Sequence, residues 1–128
     1  MLHRGGCHCG RVQFEFEGDA NVTVRRCNCS ICRLTGFLHL IIPAGAFELK
    51  TDWDDLALYR FGTKTAKHYF CPDCGIKSFY VPRSNPDGYS INFRCVDEST
   101  FDGVTIEEFD GQNWEENAAR LAHLSKNE

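Results

Sequence analysis

The sequence predicts a mainly β fold in one domain over residues 1–128: short antiparallel strands on a metal-binding knuckle, closed by a short C-terminal helix. Three observations predict it. Apolar and polar residues alternate with period two in several short runs, turn residues separate those runs, and the cysteines fall into close chelating groups.

In chain order, Val12, Phe14 and Phe16 alternate with Gln13, Glu15 and Glu17, which predicts a half-buried strand directly after the first cysteine pair. Val22 to Arg26 forms a second strand leading into a tight three-cysteine loop. Phe37 to Ile42 is nearly all apolar and is expected to be covered on both faces. After the Pro43-Ala44-Gly45 turn, Phe47 to Leu49 continues. Leu56 to Phe61 and Ala66 to Phe70 flank Gly62-Thr63 as a hairpin that delivers Cys71, and Ile76 to Val81 leaves the knuckle as a strand. Asn85-Pro86-Asp87-Gly88 is a turn, beyond which Tyr89, Ile91, Phe93 and Cys95 share one face. A last strand runs near Val104 to Phe109. The single helix is expected after Asp110-Gly111, with Asn113 as cap, Glu116 at the box position and Trp114, Ala118, Leu121 and Ala122 as its apolar stripe. Residues from Ser125 to Glu128 are expected to fray.

The cysteines carry the chemistry. Cys7-His8-Cys9-Gly10 and Cys71-Pro72-Asp73-Cys74-Gly75 are two chelating pairs that together make a complete four-thiolate set. The glycine after each pair permits positive φ, so that backbone N–H groups fold back towards the sulfurs. Cys27-Asn28-Cys29-Ser30-Ile31-Cys32 supplies three thiols and no evident fourth. A structural zinc is closed by four protein ligands, whereas a catalytic zinc keeps one position for water or substrate. The expectation is two Zn²⁺ per chain, one structural at Cys7, Cys9, Cys71 and Cys74, and one catalytic at Cys27, Cys29 and Cys32.

Composition narrows the function. Lys plus Arg number 14 against 18 Asp plus Glu, a formal charge of -4, which argues against nucleic acid or an anionic membrane surface as partner. No apolar run reaches membrane-spanning length. The alternative for eight cysteines is a disulfide scaffold. The first six residues contain no apolar signal segment and the pairs have chelating spacing, so a reducing, cytoplasmic setting with metal-bound thiolates is expected.

Cys7-x-Cys9-Gly10-x-Val12-x-Phe14, then Cys27-x-Cys29-Ser30-x-Cys32-Arg33, then Cys71-x-x-Cys74-Gly75 with Phe79 and Tyr80, resembles the glutathione-dependent formaldehyde-activating enzyme family. Asp110-Gly111 followed by Trp114 fits as well. The resemblance implies an Mss4-like β-tent, the same two zinc sets, and condensation of glutathione with formaldehyde to S-hydroxymethylglutathione, formally a carbon–sulfur lyase in reverse.

A thiol entering the fourth position of the second zinc would be held as thiolate, the form that attacks. Three cysteinates and a substrate thiolate leave that centre formally negative, so nearby cations matter. Arg25, Arg26 and Arg33 adjoin the ligands, and Arg33 is the best candidate to meet a carboxylate of glutathione. Cys95 could close the second set but reads as a core cysteine. His39, inside an apolar strand, can be a ligand or proton carrier, but its default reading is a core histidine with satisfied nitrogens. Two alternatives stay open: a zinc-stapled Mss4-like binding module without catalysis, and a methionine-sulfoxide-reductase-like tent with Cys95 as nucleophile.

Overall fold

The computed structural model describes residues 1–62, 66–113 and 121–125. In chain order its elements are β1 (Leu2–Gly6), β2 (Gln13–Glu17), β3 (Asn21–Cys27), the helix α1 (Ser30–Thr35), β4 (Leu38–Pro43), β5 (Phe47–Leu49), β6 (Ala57–Tyr59), β7 (Lys67–Phe70), β8 (Phe79–Val81), β9 (Gly88–Asn92) and β10 (Gly103–Phe109). Two sheets result, a three-stranded one in the order β1-β2-β5 and a seven-stranded one in the order β10-β3-β4-β9-β8-β7-β6. The mainly β expectation holds. One pairing departs from it: β10 lies parallel to β3, from Gly103 opposite Asn21 to Phe109 opposite Cys27, while the other pairs are antiparallel.

The core lies where the two sheets face each other. Phe14 and Phe16 point from β2 onto Leu38, Leu40 and Ile42 of β4, Phe79 of β8 and Ile91 of β9, all buried. Phe47 of β5 packs on Phe79 at 4.7 Å and on Tyr89 at 4.4 Å. Aromatic rings at these separations add to the area they remove from water.

Period-two geometry then assigns the opposite face of the large sheet. If Leu38, Leu40 and Ile42 face the core, His39 and Ile41 must face away from it. Both are nevertheless buried, as expected for a strand covered on both sides. Ile41 meets Phe109 and Leu121 in a second, smaller cluster.

One strand is added that the sequence pattern does not announce, and two local readings are corrected. Leu2–Gly6 is a strand, made so by pairing with β2. The three-cysteine loop contains the six-residue helix α1, capped by the Cys29 side chain and ended by Gly36 at φ 66°. The strand carrying Tyr89 stops at Asn92, whose side-chain oxygen accepts from Arg94 N at 3.1 Å and starts a 3-10 turn over Phe93–Cys95. Residues 114–120 of the expected C-terminal helix lie outside the described residues. Of the residues expected to fray, 126–128 lie outside the described residues, and Ser125 is held: Asn85 Nδ2 donates to Ser125 Oγ at 2.9 Å and to Leu121 O at 2.9 Å, and Ser125 Oγ donates to Asp87. No helix among the described residues is long and apolar enough to cross a membrane.

Candidate metal centres and substrate recess

Among the described residues, two groups of ligand atoms converge, each within 4.8 Å of one another: Cys7, Cys9, Cys71 and Cys74, and Cys27, Cys32 and His39. In the first group Cys9 Sγ lies 3.6 Å from both Cys7 Sγ and Cys71 Sγ, far beyond the roughly 2.05 Å of a disulfide bond. The two turns that present these sulfurs bond to themselves. Cys7 N donates to Val12 O at 3.0 Å, Val12 N donates to Cys7 Sγ at 3.2 Å, and Gly75 N donates to Cys71 O at 2.8 Å. Gly10 at φ 84° and Gly75 at φ 75° occupy the left-handed region expected of them. All four donors are soft thiols at the mutual spacing a tetrahedral metal demands, so the set fits zinc.

The second group sits where β3, α1 and β4 meet. Cys27 ends β3 with its side chain on the face opposite the core, and α1 brings back Cys32, which is buried. Cys29 caps α1, its Sγ accepting from Cys32 N at 3.4 Å. Hydrogen bonds from Cys27 and then Cys32 hold the Cys29 thiol down at about 2, while Cys27 and Cys32 are pushed up. Crowded thiols that share protons in this way fit a bound cation, whose charge would let all three ionise. Gly111 seals the cluster: a Cβ there would collide with Cys27 Sγ and stand 3.0 Å from Cys29 Cβ.

His39 belongs to this group, in line with the ligand alternative and against the default expectation of a core histidine with satisfied nitrogens. Its Nδ1 is hydrogen-bonded to Ser90 Oγ at 2.9 Å and lies 3.3 Å from Tyr80 OH, but its Nε2 is buried without a partner. Burial and then Lys77 hold His39 at about 3, so the ring is neutral. Cys95 is elsewhere, in an open cleft it shares with Cys7, His8 and Arg94.

Two recesses reach the cluster. A cavity of about 60 Å³ is lined by Cys27, Cys29, Cys32 and His39 with Arg25, Ile41, Phe109 and Leu121. A second, of about 220 Å³, touches Cys27 and Cys32 and carries Arg26, Arg33 and Arg94. Arg26 pairs with Glu108 at 2.9 Å and Arg25 with Glu107 at 3.6 Å, both set by the parallel β3–β10 register. Arg94 Nε donates to Gly36 O at 2.8 Å, which fixes its guanidinium beside the helix end. Arg33 is exposed on the last turn of α1.

Sequence reasoning missed Lys77 and Arg94. Lys77 is 8 % exposed, and its ammonium lies 4.0 Å from the Tyr80 ring centroid and 4.9 Å from that of Phe37, with no hydrogen-bond partner. Burial lowers it to about 8, opposed by Cys32 and Cys29. Nothing in Gly75-Ile76-Lys77-Ser78 signals this, since lysine is by default a surface residue.

The sequence matches the family model described as glutathione-dependent formaldehyde-activating enzyme over residues 2–111. The fold is similar to the crystal structure of a Rhodobacter sphaeroides protein, with a TM-score of 0.67 and 40% identity, covering 72% of this chain and 85% of that one.

Proposed function

Because the chain belongs to the glutathione-dependent formaldehyde-activating enzyme family, we propose that it is a zinc-dependent enzyme of the carbon–sulfur lyase type. Its substrate is a thiol–aldehyde adduct, and its reference reaction is the condensation of glutathione with formaldehyde to S-hydroxymethylglutathione. One zinc at Cys7, Cys9, Cys71 and Cys74 is structural, and one at Cys27, Cys29 and Cys32 is catalytic. The observation that carries the reading is the placement of Cys27 and Cys32 where a small cavity with an apolar wall, also lined by Arg25, meets a larger recess bearing Arg26, Arg33 and Arg94. A closed structural site needs neither.

A zinc bound by Cys27, Cys29 and Cys32 would supply acidity, so that an entering thiol would ionise near neutral pH. The chain's own residues do the rest. Arg33 and Arg94 face the larger recess and receive the carboxylates of a thiol peptide, whereas Arg26 is already engaged by Glu108. Ile41, Phe109 and Leu121 form an apolar wall where a small aldehyde is shielded from water. The buried Lys77 ammonium offsets the negative charge of the cysteine cluster through space. The sulfur forms a bond to the aldehyde carbon, the carbonyl π pair moves to oxygen, and that oxygen takes up the proton the thiol gave, so the reaction is proton-neutral.

Calorimetric titration of the zinc-loaded chain with glutathione tests this. Heat of binding that grows when formaldehyde is added supports it; no heat in either case overturns it and leaves a zinc-stapled binding module. At the recess, Arg33→Ala and Arg94→Ala are each expected to raise KM for glutathione about tenfold, the scale of one charge-assisted contact, with kcat nearly unchanged.

A further inference from the structure

We propose that Nε2 of His39 is a ligand of the second centre, completing a Cys₃His donor set with Cys27, Cys29 and Cys32. The ring is 4 % exposed and sits in β4, whose alternation turns it away from the core and towards the cysteines. Its two nitrogens have unequal surroundings. Nδ1 is engaged by Ser90 Oγ at 2.9 Å, itself on a fully buried residue, so Nδ1–H can donate there and leave the Nε2 lone pair free. Nε2 is buried with no hydrogen-bond partner, an arrangement that is costly unless a ligand takes the lone pair.

The ligand atoms of Cys27, Cys32 and His39 all lie within 4.8 Å of one another. Tetrahedral zinc with Zn–S of about 2.3 Å and Zn–N of about 2.0–2.1 Å requires neighbouring donors roughly 3.5–3.8 Å apart. Closing by about 1 Å would bring these three atoms to that spacing, and Cys29 Sγ, hydrogen-bonded to Cys27 and Cys32 but outside that group, would have to close on the metal with them. A ligating histidine ordinarily donates its other ring N–H to a fixed oxygen, which sets tautomer and ring plane. Ser90 fills that role, and Tyr80 OH at 3.3 Å from Nδ1 stands beside it.

The inference rests on the proposed reading only in taking the second cluster as a metal centre; ligation by His39 can be measured whether or not the chain turns over. Its consequence for that reading is that the position a substrate thiol needs is His39's own, so thiol and imidazole must exchange there.

The test is NMR of the full chain loaded with the NMR-active cadmium isotope and carrying nitrogen-labelled histidine. The expected result is a scalar coupling between cadmium and one histidine Nε2, lost in His39→Ala while the resonance of the four-sulfur centre stays in place. Absence of any cadmium–nitrogen coupling in the wild-type chain overturns the proposal, and this arm needs no variant to fold. Titration with glutathione separates the two readings. Loss of the coupling as glutathione is added supports exchange at His39. A coupling that persists at saturating glutathione overturns the exchange and removes the support for catalysis, while His39 remains a ligand.

Discussion

At the scale of single residues, the second centre depends on side chains that are absent as much as on those present. Gly111 leaves no room for a methyl group beside Cys27 Sγ. Gly111→Ala is therefore expected to cost about 1–3 kcal/mol by overpacking and to lower metal content by one equivalent while the first centre stays filled, checked by elemental analysis of the purified variant. His68 makes a different prediction. It lies 4.9 Å from the ring of Tyr80 and 5.3 Å from that of Phe61, with both ring nitrogens unpartnered, and burial holds it down at about 4. A histidine with a depressed folded pKa is neutral in the fold and takes a proton first when unfolded, so stability is lost as pH falls from its ordinary value towards 4. By linkage the loss from this group at pH 5 is about 2 kcal/mol. Urea unfolding at pH 7 and pH 5 should show a smaller difference in His68→Phe, which keeps the stack; an unchanged difference would sink the assignment.

At the scale of elements, α1 is short and held by its ends. Cys29 caps it, Gly36 ends it in the left-handed region, and Arg94 binds the Gly36 carbonyl. Gly36→Ala is expected to destabilise by about 1 kcal/mol and to weaken the second centre more than the first, measured as metal retained against a chelator. Most strands were legible because their faces differ. Phe14 and Phe16 against Gln13 and Glu15 can face the core in only one register, and Asn85-Pro86-Asp87-Gly88 can hardly be other than a turn. Where local signal and tertiary need diverge, the reading failed. Leu2–Gly6 contains two glycines and one aliphatic residue and becomes a strand only by pairing with β2. Ser30–Thr35 is helical because Cys29 and Gly36 cap it, a signal present in the sequence but masked by the cysteine spacing. The parallel β3–β10 pair has no local signature at all, since parallel partners are chosen by what lies between them in sequence.

At the scale of the molecule, the cysteines were legible and their environment was not. Spacing alone grouped Cys7, Cys9, Cys71 and Cys74, because chelation constrains sequence. His39 reaches the second cluster from β4, and Lys77 and Arg94 from just before β8 and just after β9, through tertiary contacts that spacing cannot encode. The two centres also differ in how much chain they tie together. Cys9 and Cys71 meet across 62 positions of chain, whereas Cys27 to His39 is one short stretch. Stepwise chelation should accordingly release the second metal with the circular dichroism spectrum intact and the first only with cooperative unfolding. A single transition for both metals would contradict this order, and Cys27→Ser, expected to lose one metal and stay folded, checks it independently.

That difference in span also bears on how a newly made or refolding chain acquires its ions. The compact Cys27–Cys32 stretch emerges as one piece and can seize a cation before tertiary contacts exist, since closing so small a ring costs little entropy. The distant pairs must wait for each other. On the reading proposed above, a nascent polypeptide short of zinc would fill the Cys27–Cys32 stretch ahead of the distant pairs, so starvation for the metal would be felt first as a failure to assemble.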